Sequence, residues 1–281
     1  MANKHPFERS GLAAVSDLQT PEWRELFALL ENAQASFLEK ETLFRSQEYK
    51  WPRDPLHWWS RVWEYAYVYY HLRQWVGMND KARRFRTVDV GSGVTFFPFA
   101  VAGLGCQVCC TDIDPICKKD LERAINHVPV GPGVVEFRLT DGEKLPFADG
   151  ESDGVYCISV LEHIPVFEKT INEISRILKP GGLFLLTVDL SLPCTEELNV
   201  KQYQALRAAL EAKFIWHSPE TGIHPGDMLH SWAEPHGGAF FSGAKLLRFA
   251  IKQGVLRPLS RWKSKFFLQS LAVQAFCLKR R

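Results

Sequence analysis

Apolar positions along the chain change their period twice. Between residues 20 and 44 they recur at helical spacing: Trp23, Leu26, Phe27, Leu30, Ala33, Phe37 and Leu38 share a stripe. Thr20-Pro21 opens it with an N-cap and a proline at the first helical position. Residues 49–55, with Pro52 and Pro55, read as irregular. A second helix is predicted over 60–76, with Val62, Tyr65, Ala66, Tyr69 and Leu72 on one face and Gly77 as its stop. From residue 84 short apolar runs alternate with amphipathic stretches. Strands are predicted at 85–90, 107–111, 134–139, 154–159 and 183–188. Helices are predicted at 95–102, from Asp114-Pro115 onward, and from Pro165 to a break at Pro180-Gly181-Gly182. This alternation predicts an α/β fold, a parallel sheet covered by helices on both faces. Ligands of such sheets bind beyond the carboxyl ends of the strands.

After Asp189 an insertion-like region is expected at about 190–245. It holds a helix over 200–213, a loop over 215–238 and the start of a helix at 242–253. Two adjoining strands, 257–265 and 267–278, close the chain. The expected division is a helical, aromatic-rich extension or lid over 1–83, then an α/β core over 84–281.

Composition adds exclusions. The chain has 281 residues, 46% of them apolar and 23% charged, which is ordinary globular usage. No apolar run approaches the ~18 residues of a membrane span, so no membrane partner is expected. No basic-then-apolar leader opens the sequence, and the seven cysteines read as reduced thiols. The expected setting is therefore cytoplasmic. Cys109 and Cys110, adjacent on a strand, point to opposite faces and cannot easily share one ion. A net charge of +2 argues against a nucleic-acid partner. The basic clusters Lys81-Arg83-Arg84-Arg86 and Arg257-Arg261-Lys263-Lys265 read as solvated flanks.

The aromatic content, 12%, is concentrated: five of nine Trp and five of seven Tyr lie between residues 49 and 75. Trp58, Trp59, Trp63, Tyr67 and Tyr70 spread around the predicted helix and cannot all face one side. They divide between the core and a lid over a pocket, with Trp63 and Tyr67 as candidates for contact with a substrate.

The first core strand runs into VDVGSGVTFF. Gly91 and Gly93 sit at a strand-to-helix turn, where a glycine lets backbone approach a ligand closely. Asp112 closes the next strand, 19 residues after Gly93, where a carboxylate can accept both ribose hydroxyls. Asp141 closes the third strand and can receive the exocyclic amine of an adenine. A dinucleotide fingerprint needs a third glycine where Phe96 stands. Asp89 places negative charge beside the turn, which repels a diphosphate but suits a ligand bearing ammonium and sulfonium groups.

Four segments in order, VDVGSGVT, CCTDIDP, TDGEKLPFADGESDGVYCISVLEHI and RILKPGGLFLLTV, resemble the successive motifs of class I S-adenosylmethionine (SAM)-dependent methyltransferases. They are most similar to the methyltransferase type 11 group, over about residues 84–190. The resemblance implies a Rossmann-like seven-stranded sheet of order 3-2-1-4-5-7-6, the closing strand pair supplying the last two. SAM, the methyl donor, would lie across the carboxyl edge. Gly91 and Gly93 would flank its methionine moiety, Asp112 hold its ribose and Ile113 pack on its adenine. Asp141 and the backbone of Gly142 would meet the adenine amine, and Ser159 would lie near the reacting methyl. The family often has a third glycine where this chain has Thr95.

Methyl transfer from a sulfonium is an in-line displacement, so positioning supplies much of the acceleration. His163, just after the fourth core strand, is the candidate catalytic base; it also suits a purely structural role. Some related enzymes bind a divalent ion with a Glu three residues before such a Glu-His pair. Ser159 stands there, so the constellation is incomplete and no metal is expected. His217, His224, His230 and His236 crowd one loop at wide spacing, which favours a substrate-facing loop, with His224 and His230 as candidates, over a metal site. Arg61 is a candidate for the SAM carboxylate. The expected function is methyl transfer to a small-molecule acceptor under an aromatic lid. The alternatives are an RNA or protein methyltransferase, or a SAM-scaffold enzyme or binding protein without methyl transfer.

Overall fold

The computed structural model describes residues 5–51, 53, 56–78, 84–191, 198–231 and 271–281. In chain order the elements are β1 (Gly11–Leu12), α1 (Pro21–Glu39), α2 (Glu41–Phe44), α3 (Arg61–Met78), β2 (Arg86–Val90), α4 (Phe97–Ala102) and β3 (Gln107–Asp112). Then follow α5 (Pro115–His127), β4 (Val134–Leu139), β5 (Ser152–Ile158), α6 (Phe167–Ile177), β6 (Leu178–Ser191), α7 (Val200–Lys213), β7 (Phe214–Trp216) and β8 (Leu271–Arg280).

Local signals set most of these boundaries. The Thr20 hydroxyl accepts from the Trp23 N–H and Pro21 takes the first helical position of α1. Asp114 caps α5 in the same way through the Ile116 N–H. Two boundaries differ from the sequence expectation. Gly77 lies inside α3, which runs on to Met78. Pro180-Gly181-Gly182 does not end a helix before a fresh strand: β6 runs through it as an irregularity, Ser152 pairing Leu178 and Gly154 pairing Leu183.

The sheet runs β4-β3-β2-β5-β6-β8-β1, with β7 also paired to β8. The first five strands are parallel and β8 is antiparallel to β6. The core order 3-2-1-4-5 and the antiparallel seventh strand are therefore as expected. The expected strand at 257–265, which would take the sixth position, and the expected helix at 242–253 lie outside the described residues. Among the described residues, β1 and β7 pair with the outer edge of β8.

Two apolar layers flank the sheet. One joins α1, α3, α4 and α5 through Trp23, Leu30, Tyr65, Phe99 and Leu121. The other joins α6 and α7 through Ile171, Ile174, Leu206 and Leu210. Cys110 packs in the first and Cys109 in the second, as strand alternation requires. The N-terminal residues belong to this body rather than hanging over it. Phe7 and Ala13 enter the first layer, and Gly11 and Leu12 pair with β8. Every residue from Val62 to Leu72 of α3 is buried. Aromatic residues all round a helix thus signal burial on every side.

Candidate functional site

The glycine turn is built by backbone. The N–H groups of Gly91 and Ser92 both donate to the Thr111 carbonyl, at 2.9 and 3.0 Å, tying the turn to β3. Gly91 has φ +73°, and a Cβ there would lie 2.7 Å from the Val160 methyls, so only glycine fits. Gly93, at φ +55°, donates its N–H to Asp112 Oδ2 at 3.0 Å, while Oδ1 accepts from the Asp114 N–H at 3.0 Å. Two residues that the sequence reading gave no place at this turn brace it. Tyr49 OH accepts the Val94 N–H at 3.1 Å, and Arg45 Nη1 donates to the Val94 carbonyl at 3.1 Å. The Arg45 guanidinium lies 4.2 Å from the centre of the Tyr49 ring.

Beside the turn is an exposed apolar platform. Ile113, just past the end of β3, is 66% exposed. A Cβ on Gly142, which has φ +83°, would sit 3.3 Å from its Cγ2. Asp141 Oδ1 accepts the N–H groups of Glu143 and Lys144 at 2.9 and 3.0 Å, which hold its carboxyl below the usual range. Burial, the larger cause, and Asp112 nearby push the Asp89 carboxyl up to about 8, above the usual carboxylate range.

At the carboxyl end of β5 the site closes. Ser159 has φ +48°, the non-glycine residue with positive φ among those described. Its Oγ donates to Glu64 Oε1 at 2.7 Å and accepts from Arg61 Nη1 at 2.7 Å. Arg61 also donates to Glu64 Oε2. Arg61 is thus bound to a fully buried carboxylate. Behind this triad the Leu161–His163 turn brings up Glu162. Its Oε1 accepts the Asp189 N–H at 3.1 Å, and its Oε2 is buried without a hydrogen-bond partner. Burial and the facing Glu64 push its carboxyl up to about 8. His163 is exposed, and partial burial of its ring with Arg61 nearby holds it below the usual imidazole range.

The structure therefore brings together Gly91, Gly93, Asp112, Ile113, Asp141, Gly142, Ser159 and Arg61 along the carboxyl edge. It places Trp63 and Tyr67 elsewhere. Both are fully buried and stacked, and the Trp63 indole donates to Asp17 Oδ2 at 2.8 Å. The reason is the N-terminal segment, whose Phe7 and Asp17 cover that side of α3. His224 caps an exposed turn, accepting the Gly226 N–H at 3.1 Å. His230 bridges to Ala272, opposite the Leu190 end of β6 and so at the carboxyl edge. His236 lies outside the described residues. Glu64 was missed by sequence reading; its signal was a single acid inside the apolar run VWEYAYVYY.

No helix among the described residues is long and apolar enough to cross a membrane. Residues 88–186 match the family described as "Methyltransferase domain". The ubiquinone biosynthesis O-methyltransferase of Thiobacillus denitrificans is 29% identical over 152 residues, 54% of this chain and 60% of that protein. The enzyme of the same name from Colwellia psychrerythraea is 30% identical over 156 residues, 53% and 59% of the two chains. The chain thus spans about three-fifths of the length of these curated relatives. Among solved structures, the [4+2]-cyclase SpnF superposes with a TM-score of 0.52 at 16% identity, covering 97% of this chain and 99% of that one. At that identity the likeness is one of fold.

Proposed function

We propose that the chain, whose residues 88–186 match the methyltransferase domain family, is a class I SAM-dependent methyltransferase that transfers a methyl group from SAM to a small-molecule acceptor. The observation that carries the reading is the exposed Ile113 against Gly142, beside the Asp112 carboxylate and the positive-φ glycine turn. An adenine stacks on the isoleucine and approaches the Gly142 backbone. The ribose hydroxyls share the Asp112 carboxylate. The methionine end passes Gly91 and Gly93 toward Ser159, with Asp89 at its side.

The donor brings an activated methyl; the chain's task is to hold it and the acceptor in line. Arg61 and Glu64 fix the Ser159 side chain at that point. The acceptor side lies beyond Ser159, between the N-terminal helices and the segment after β6 that carries His230. Trp63 and Tyr67 are core and leave any aromatic lid, whereas Trp51 and Trp58 of the same region are 59% and 39% exposed. The names of the curated relatives favour a hydroxyl on a small molecule as the acceptor.

Titration calorimetry tests the donor assignment. SAM and S-adenosylhomocysteine should bind and NAD should not. Heat with NAD and none with SAM would overturn the reading. Product analysis then separates methyl transfer, which leaves S-adenosylhomocysteine, from attack on another carbon, which leaves methylthioadenosine.

A further inference from the structure

One peptide group of the glycine turn is gripped at both ends by the stretch that follows α2. The Val94 N–H donates to the Tyr49 hydroxyl oxygen and the Val94 carbonyl accepts from Arg45 Nη1, each at 3.1 Å. That stretch is itself anchored. Arg45 Nε donates to Glu41 Oε1 at 2.9 Å, and the Ser46 N–H and hydroxyl both donate to Asp120 Oδ2 on α5, each at 2.9 Å. Asp120 is fully buried. The Tyr49 hydroxyl is thereby held in a set position, and it borders the space in front of the turn. A Cβ on Gly93 would lie 3.3 Å from the hydroxyl oxygen, with no other described residue beyond the turn within 4 Å. The oxygen accepts from the Val94 N–H, and among the described residues no group takes its own proton.

We propose that Tyr49 donates its hydroxyl to the carboxylate of the donor's methionine end, and so selects ligands that carry a complete amino-acid tail. This rests on the donor reading above, in which that end passes Gly93. A phenol oxygen that already accepts an N–H has its proton left to give, which suits a carboxylate rather than an ammonium. The Arg45 guanidinium, 4.2 Å from the ring centre, polarises the hydroxyl toward donation. Arg61, the sequence candidate for the same carboxylate, has its Nη1 taken by Glu64 and Ser159. Residues 45–49 therefore have two tasks. They hold the backbone of the turn in shape, and they present the one side chain that reads the ligand's far end.

Calorimetry with three ligands tests this without an acceptor: S-adenosylhomocysteine, its decarboxylated analogue S-adenosyl-3-thiopropylamine, and methylthioadenosine. All three keep adenine, ribose and a thioether. The first alone carries the carboxylate, and the second keeps the ammonium. The unaltered chain should bind the first about 10-fold tighter than the second, as expected of a hydrogen bond to a charged group. Tyr49→Phe should weaken the first by the same factor and leave the other two unchanged. A Tyr49→Phe chain that binds all three more weakly to the same degree overturns the proposal, because that is the mark of a brace and not of a ligand contact. Unchanged affinity for the first overturns it too. The comparison in the unaltered chain needs no variant to fold: equal affinity for the first two ligands overturns the proposal alone and leaves the donor reading standing. Failure of all three ligands and of SAM to bind removes the donor reading itself, and this inference with it.

Discussion

The two halves of the carboxyl edge are built on opposite principles. The half holding Gly93, Asp112, Ile113 and Gly142 consists of short turns at the carboxyl ends of neighbouring parallel strands, and Ile113 there faces solvent. The half holding Arg61, Glu64, Ser159 and Glu162 is buried, charged and assembled from segments nearly a hundred residues apart. An exposed apolar platform is suited to a ligand that covers it on binding. A closed charged cluster is suited to setting protonation and orientation at one atom. On the proposed function, the first half recognises the donor and the second holds Ser159 near the transferred methyl.

The largest expected effect removes a residue that belongs to neither half. Trp63→Ala should cost roughly 3–5 kcal/mol of stability in denaturant unfolding, the usual price of emptying a buried aromatic site. SAM affinity of the folded variant should be unchanged. A variant that unfolds normally but binds SAM or acceptor poorly would return Trp63 to the pocket.

Next comes the open half. Asp112→Ala should weaken SAM binding by roughly 10–30-fold, about 1.5–2 kcal/mol, as expected for hydrogen bonds to a charged acceptor. Calorimetry reads this directly, and unchanged affinity would remove the ribose assignment.

A third test reads a slope in pH. The Asp89 carboxyl stands at about 8 in the folded chain and near ~3.9 when unfolded. Its stabilising contribution is therefore full below about pH 4 and is lost as pH rises through about 8. The thermal midpoint of the native sequence should fall relative to that of Asp89→Asn between pH 5 and pH 8.5. Parallel pH profiles for the two would mean that Asp89 is ionised throughout.

Sequence legibility followed the same division. The open half is local: glycines, a strand-ending aspartate and an isoleucine stand in order along the chain, so reading in order finds them. The parallel core order followed from β-α alternation for the same reason. The closed half is non-local. Glu64 pairs with a serine 95 positions away, and nothing in the spacing of either residue announces it. The aromatic helix misled because periodicity assumes one buried face, whereas α3 is covered by the sheet on one side and by Phe7, Asp17 and Trp23 on others.

A structure with bound S-adenosylhomocysteine tests the central claim most directly. The account predicts adenine on Ile113, ribose on Asp112, and sulfur facing Ser159 and the Arg61–Glu64 pair. A ligand seated away from Ile113, or one whose sulfur points away from Ser159, would contradict it.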